Sequence, residues 1–396
     1  MDFTEPAVLV LTSLADGAAV ATGSRFSQDS RQGERVGRGE YRWNALGADW
    51  TLSGETAYNF IDVTGALDAL DGAGVFQTLV LPGASARVAE RRGESILSFS
   101  RPMGSNWSLQ LSGGGEYSRL TQDGAGGKTR HFWRPKGAVS LAWNPPTPWE
   151  MNFRLQRKVG QLNFFDFLAS VDLQNNNANG GNPELVPPQS WLLQVEAIRS
   201  LGPAGKIRFF VEGEQIHDLV EQVPLSPTTE APGNIPRARQ LSGTLDTTFL
   251  LDGVGLPGGR FDSKVVLRTS RVRDPLTGQN RRLNGNCCYW NAEFRYDMPG
   301  TPYTFGLYTE GSSPDYFYRL DYQSRNWSSR PFGQLYFEHK NVFGIKVHLG
   351  IGNFFKSRDR SRSVSYVARR DGPVDYTRDY GLTDGWIYRL EVSGTF

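Results

Sequence analysis

Two adjacent cysteines, Cys287 and Cys288 in "NGNCCYW", are the only thiols in the chain. Neighbouring thiols can close a strained vicinal disulfide or stay free, and both readings remain open; they cannot staple distant segments together. The histidines His131, His217, His339 and His348 are scattered without the spacing of a ligand set, so no metal is expected. The glycines Gly253, Gly255 and Gly258 in "GVGLPG" match a dinucleotide-binding pattern. The segment after them, "RFDSKVVLRTS", alternates like a strand where that pattern needs a helix, which makes the glycines a hairpin turn. A hydrolase would need a serine beside a histidine base, and neither His339 nor His348 lies near a G-x-S-x-G element. The chemistry-bearing residues therefore predict no enzyme and no cofactor.

Charge excludes a further class. With Lys+Arg at 43, Asp+Glu at 41 and a net charge of +2, nothing steers this chain toward nucleic acid. The one basic run, "KSRDRSR" from Lys356 to Arg362, is expected to cap a periplasmic turn or meet lipid phosphates. Asn106 and Asn326, in "NWS" sequons, read as turn residues.

The elements that must position these residues have a period of two. In "GWIYRLEVSGTF" one face carries Trp386, Tyr388, Leu390, Val392 and Phe396, and the other Arg389, Glu391, Ser393 and Thr395. In "WEMNFRLQRK" Trp149, Met151, Phe153 and Leu155 oppose Glu150, Asn152, Arg154, Gln156 and Lys158. "YWNAEFRYD" and "FGIKVHLGIG" repeat the pattern, placing Glu293, Arg295 and His348 on the polar side. Such runs hold for about 9–11 residues, the length of a tilted membrane-crossing strand, where an ordinary strand has about 5–6. Trp149, Trp191, Trp290, Trp386 and Phe396 fall near strand ends, where interfacial girdles stand.

Connectors alternate as well. Short ones, "NPPTP", "SLGPAGK", "DGVGLPGG" and "MPGTP", take turns with long polar ones at 160–189, 217–237 and 271–287. Short periplasmic turns opposite long extracellular loops predict an all-β fold: a large antiparallel transmembrane β-barrel of roughly 18 strands. Closure would remove the exposed edges and satisfy every backbone polar group in lipid. Walking back from a terminal strand that ends on the periplasmic side gives "SRSVSYV" up, "GIKVHLGIG" down, "FGQLYFEH" up, "YFYRLDYQ" down, "YTFGLYTE" up and "YWNAEFRYD" down. "AVLVLTSLA" near the start, too short to cross as a helix and preceded by acidic "MDFTEP", is read as a strand.

One stretch, "DFLASVDLQNNNANGGNPELVPPQSW" (Asp166 to Trp191), passes from apolar to polar and then to Asn182-Pro183-Glu184-Leu185-Val186-Pro187 before an aromatic-led strand. It resembles a recurring loop-strand element in the barrels of TonB-dependent outer-membrane receptors. "FEHKNVFGIKVHLGIGNFF", "SRDRSRSVSYVARRDGP" and the closing strand to Phe396 are similar to the family's last strands in order and spacing. The resemblance covers roughly residues 149–396 and implies uptake of a scarce nutrient, a metal chelate, vitamin or glycan, in the bacterial outer membrane. It further implies energy coupling through the TonB complex by way of a plug domain, in a barrel of 22 strands. Residues 1–396 show no plug-like segment and are expected to be one outer-membrane barrel domain, truncated at its N-terminus or divergent.

The expected partners are outer-membrane lipid, the barrel-assembly machinery and, only where a plug is supplied, TonB; the chain is expected to be a monomer. Trp386, Tyr388, Leu390, Val392 and Phe396 are the candidate barrel-assembly signal, and Phe164, Phe165, Asp166 and Phe167 on a long outer loop are candidate substrate contacts. Arg154, Lys158, Glu293, Arg295, Arg389 and Glu391 are expected to line a hydrated lumen. Two other readings stay open: a plugless diffusion channel and a soluble β-rich binding protein.

Overall fold

A computed structural model describes residues 2–15, 18–124, 127–172, 177–226 and 229–394. The chain is almost entirely extended, as its period-two pattern requires. The first strands are β1 (Asp2–Ala15), β2 (Ala18–Ala45), β3 (Ala48–Leu70), the short β4 (Phe76–Leu79), β5 (Ala86–Met103), β6 (Trp107–Gln122), β7 (Thr129–Trp143) and β8 (Trp149–Val159). They continue as the short β9 (Ser170–Asp172) and β10 (Asn177–Asn179), then β11 (Gln189–Ser200), β12 (Gly205–Pro224), β13 (Glu230–Leu250), β14 (Gly259–Arg273), the two-residue β15 (Asn280–Arg281) and β16 (Cys288–Asp297). The last are β17 (Tyr303–Ser312), β18 (Asp315–Tyr318), β19 (Tyr322–Ser328), β20 (Phe332–Val342), β21 (Ile345–Gly352), β22 (Arg358–Tyr366), β23 (Val374–Thr383) and β24 (Ile387–Ser393).

Among the described residues twenty strands make one sheet and four, β18, β19, β22 and β23, make another. Within the large sheet β4, β9, β10 and β15 are short rim pieces, so sixteen strands form the wall; the expected number, roughly eighteen, falls between sixteen and twenty. Each wall strand pairs antiparallel with the next in sequence, from β1–β2 through β8–β11 and β17–β20 to β21–β24. β1 and β24 are the two edges, and among the described residues they do not pair with each other. Among the described residues no helix is long and apolar enough to cross a membrane.

Although the β12–β13 connection at 225–229, on the other rim, is short too, the short connectors read from the sequence lie on one rim. Leu46-Gly47, residues 144–148, 201–204, 251–258 and 298–302, and Phe343-Gly344 join strands there, and β24 ends on the same side. Leu46, Phe343, Gly47 and Gly344 take positive φ, which two-residue hairpin turns require. Gly253 and Gly255 sit in or beside a 3-10 turn at Asp252–Val254, with Gly255 and Gly258 at positive φ, so the glycine pattern is a hairpin turn. Asn106 is also in a turn on this rim, whereas Asn326 lies inside β19, paired with Ser361.

Two features of the sequence reading are corrected. "YFYRLDYQ" and "SRSVSYV" do not cross the wall: they belong to the four-stranded sheet, where β19 pairs with β22. Removing both crossings reverses the strands between them, so β20 runs toward the short-turn rim and β21 away from it. The wall is broken at residues 329–331 and 353–357, where Asn353 and Lys356 adopt positive φ, while alternation resumes beyond the break and hides it in sequence. The same result moves "KSRDRSR" from a periplasmic turn to the opposite rim. The polar tract at 217–237 is not a loose loop either; β12 and β13 pair as far as Pro224 and Glu230.

Candidate functional site

The two faces of the wall set the chemistry. On one face apolar side chains meet across many of the joins from β3 onward. Leu52 opposes Leu97, Val139 opposes Leu155, Leu155 opposes Leu193, Val195 opposes Val211, Phe305 opposes Phe337, Leu335 opposes Ile351 and Leu349 opposes Leu390. Many are large and openly exposed: Leu155 at 43%, Leu193 at 50%, Leu335 at 48% and Leu390 at 67%. A continuous exposed apolar surface of this extent is intolerable in water and matches a lipid-facing band.

Aromatic rings bound the band. At the short-turn rim Trp43 stacks on Trp50 at 6.1 Å, Trp50 meets Phe99 at 5.0 Å, Trp107 meets Trp143 at 5.7 Å and Arg199 lies over Trp149 at 5.1 Å. At the other end stand Trp133, Trp191 and Trp290, all exposed. Trp133 and Trp143 lie ten residues apart on β7, about 33 Å along the strand or roughly 23 Å across a membrane at a 45° tilt. That is the height of an outer-membrane hydrocarbon layer.

The opposite face carries paired charge. Lys136 Nζ lies 2.5 Å from both Glu94 and Glu116, Arg92 binds Glu55 at 2.7 Å, and Arg208 bridges Glu196 and Asp246. Further round, Arg295 reaches Glu338 at 2.9 Å and Lys346 reaches the same carboxylate at 2.9 Å. Of the residues expected on this face, Lys158 pairs with Glu214 at 2.8 Å, Glu293 accepts from the Tyr336 hydroxyl at 2.6 Å, and Arg389 pairs with Glu391. Arg154 stands opposite Ser140 and Gln194. His348 Nδ1 lies 3.2 Å from Glu338, stacked on Tyr336, as a wall residue and not a base beside a nucleophile.

Near the elaborate rim this charged face turns apolar, a signal the sequence reading passed over. Ile61, Val63, Ala86, Val88 and Leu120 form a buried cluster there with Phe167, Leu168 and Leu185 from the 160–188 connection. The 3-10 turn Phe164–Phe167 is capped by Asn163, whose side chain accepts from the Phe165 N–H at 3.1 Å. Of the four candidate contacts Phe167 is 2% exposed, Phe164 packs on the same cluster, and Phe165 remains open at 41%. Burial pushes the Asp166 carboxyl above its ordinary pKa.

The family-like element holds this connection in place. Asn182 accepts from the Glu184 N–H at 2.8 Å and donates to the Pro232 carbonyl at 2.9 Å. Arg130 donates to the Leu185 carbonyl at 2.6 Å, and Asn234 exchanges two hydrogen bonds with the Val186 backbone at 2.8 Å each. Leu185 is fully buried. The 160–188 connection therefore folds back onto the charged face of the wall.

A second set of loops is locked by buried ions. Asp274, 2% exposed, accepts from Arg281 and Arg370 at 2.8 Å each and from the N–H groups of Leu276 and Thr277. Burial alone would raise its pKa; the Thr277 N–H, Arg370 and the Leu276 N–H outweigh it and hold the carboxyl at about 2. Arg281 also reaches Glu221 at 2.7 Å, and Arg281 and Arg370 both lie on the Tyr318 ring. Glu230, equally buried, takes Arg319 and the Leu320 N–H. The tips of the small sheet are thus anchored on the far ends of β12, β13 and β14.

Cys287 and Cys288 lie beside this region as free thiols, their sulfurs 3.2 Å apart. Ser313 Oγ accepts both cysteine N–H groups at 3.0 Å and, with the Cys288 thiol and Arg282, favours the Cys287 thiolate. Among the described residues no group of three or more His, Cys, Asp or Glu side chains could hold a metal. Trp386, Tyr388, Leu390 and Val392 are exposed on or beside edge strand β24, with Tyr388 and Leu390 on the apolar belt; Phe396 lies outside the described residues.

No family model and no curated protein matches the sequence. Solved structures do match in shape. The copper transporter OprC aligns with a TM-score of 0.62 at 11% identity, over 89% of this chain and 56% of that one. The ferric citrate transporter FecA aligns at 0.63 and 11%, over 99% and 58%, and the FrpB iron transporter from Neisseria meningitidis at 0.60 and 9%, over 98% and 63%. The chain thus spans roughly three-fifths of the length of the structures it matches. At this identity the likeness is one of fold, and the fold is that of the β-barrels of TonB-dependent outer-membrane receptors.

Proposed function

We propose that the chain is the outer-membrane barrel of a TonB-dependent receptor that takes up a scarce nutrient. The observation that carries this reading is the belt of exposed apolar cross-strand pairs, bounded by aromatic girdles and backed by a charged inner face. Only a membrane-spanning wall with a hydrated interior satisfies both faces at once. The solved neighbours are by name transporters of copper, ferric citrate and iron, which favours a metal chelate over a vitamin or glycan as cargo here. Energy coupling would act through a plug, with β24 and its aromatic residues as the edge recognised during assembly. Phe165, still open beside the half-buried Asp166 and the buried Phe167, is the loop candidate best placed to touch cargo.

Extraction with detergent, reconstitution and heat-modifiable electrophoresis test the reading: a sheet-rich monomer that shifts mobility on boiling is expected. A monodisperse, detergent-free species would refute it. The charged inner face taken by itself also suits a diffusion channel. Planar-bilayer recording separates the two, since the 160–188 connection packed on the inner wall should keep conductance small, and steady porin-like conductance would favour the channel.

A further inference from the structure

The small sheet carries a charge pattern that neither the wall nor uptake of cargo through it explains. On one face of β22 stand Arg358, Arg360 and Arg362, alternate residues of a strand and therefore on the same side. Across the joins Arg325 opposes Arg362, Trp327 opposes Arg360, Gly381 opposes Arg360 from β23, and Thr383 opposes Arg358. Like charges placed directly opposite one another destabilise a strand pair. Among the described residues Arg362 alone of these is compensated, by Asp379 at 2.7 and 3.0 Å. Among the described residues no carboxylate pairs with Arg325, Arg358 or Arg360.

Shape agrees with charge. These side chains surround a groove of about 530 Å³. Its floor opens at Gly381, where an added Cβ would meet nothing nearer than the Asp359 carbonyl at 3.8 Å. Arg325 lies over the Trp327 ring at 5.0 Å, which fixes one guanidinium at the groove's edge. A row of planar, permanently charged forks around an open floor is suited to oxygen anions that accept two hydrogen bonds from each fork.

We propose that this face of β19, β22 and β23 is a binding site for a multiply charged oxyanion of the phosphate class, free or carried on a lipid headgroup. Arg358 and Arg360 supply the principal contacts, Arg325 the third, and Gly381 the space. The proposal rests on this sheet alone and not on the uptake reading, so it stands or falls apart from it.

Titration of the full chain in detergent micelles tests it, with inorganic pyrophosphate as the free anion and bisphosphorylated lipid A as the headgroup. Phosphatidylethanolamine, a net-neutral zwitterion with a single phosphodiester, serves as the comparison lipid. Binding of pyrophosphate, of lipid A or of both is expected, weakening steeply between low and high salt. The double variant R358Q/R360Q should weaken it by at least about tenfold. R378Q, an exposed arginine of the same sheet stacked on Tyr376, should leave it within about twofold. Binding of pyrophosphate alone assigns a soluble anion, and of lipid A alone a headgroup. No binding of either probe, or equal losses in R358Q/R360Q and R378Q, would overturn the proposal, and unchanged heat-modifiability of both variants shows that folding is not the cause.

Discussion

Asp274 and Arg370 are 96 residues apart in sequence and share a 2.8 Å hydrogen bond beneath the outer loops. This pair ties the connection between β21 and β24 to the one after β14, and Arg281 joins both to Glu221 on β12. The connections after β14, β17 and β21 are consequently tied to one another and to the ends of β12 and β13.

Replacing Asp274 by Ala leaves Arg370 and Arg281 without their shared carboxylate. Breaking one partner of a buried pair costs about 3–5 kcal/mol. We expect residues 313–331 and 353–386 to gain hydrogen exchange and protease cleavage while the wall strands stay protected. Protection unchanged in both loops would show that the ion cluster does not hold them.

Acid should release the same connections. The Asp274 carboxyl is held at about 2, below its ordinary 3.8, so its contribution is present above about pH 4 and is lost as pH falls toward 2. A shift of that size is worth about 2 kcal/mol. Loop protection followed by hydrogen exchange from pH 6 to 2 should decline mainly below 4 in the wild type, and the decline should be absent in Asp274→Ala.

Asp166 behaves in the opposite sense. Its carboxyl is raised by burial, so ionisation opposes docking of the Phe164–Phe167 turn, and docking tightens as pH falls through the raised value. Asp166→Asn should therefore increase the protection of the Phe167 and Leu168 amides at neutral pH. A loss of protection would mean that the charged form makes a stabilising contact.

The wall itself offers a steric test. A Cβ on Gly306 would clash with the Tyr336 ring, which leans over this glycine while its hydroxyl donates to Glu293. Gly306→Ala must displace the ring and break that hydrogen bond, a cost of about 1–3 kcal/mol. Urea unfolding from lipid vesicles should record it, and Tyr336→Ala combined with Gly306→Ala should restore part of the loss.

Much of this architecture was legible in the residues. The alternation at Trp149–Leu155 or Trp386–Val392 reports directly which face meets lipid, because a strand's side chains have only two directions. The tight connectors announced themselves through proline and glycine. What stayed hidden has a common cause: alternation is local. It continues from β21 through the break at Asn353 into "SRSVSYV", so the departure of β22 into a second sheet left no mark except two positive-φ residues. It likewise could not show that Phe167 and Leu185 turn inward. Ile61, Val63 and Val88, apolar on an otherwise charged face, were the available sign that something must cover them. Asp274, Glu230 and their arginines meet only through tertiary folding, and no spacing in sequence joins them.

The most direct test of the account is to place the wall in lipid and ask which face the lipid sees. With the chain reconstituted and exposed to a photoactivatable acyl-chain probe, labelling should fall on Leu155, Leu193, Leu267, Leu335 and Leu390. Glu55, Arg92, Glu196 and Asp246 should be spared. Labelling spread evenly over both sets, or none on a chain that remains in the aqueous phase, would contradict a membrane-spanning barrel wall.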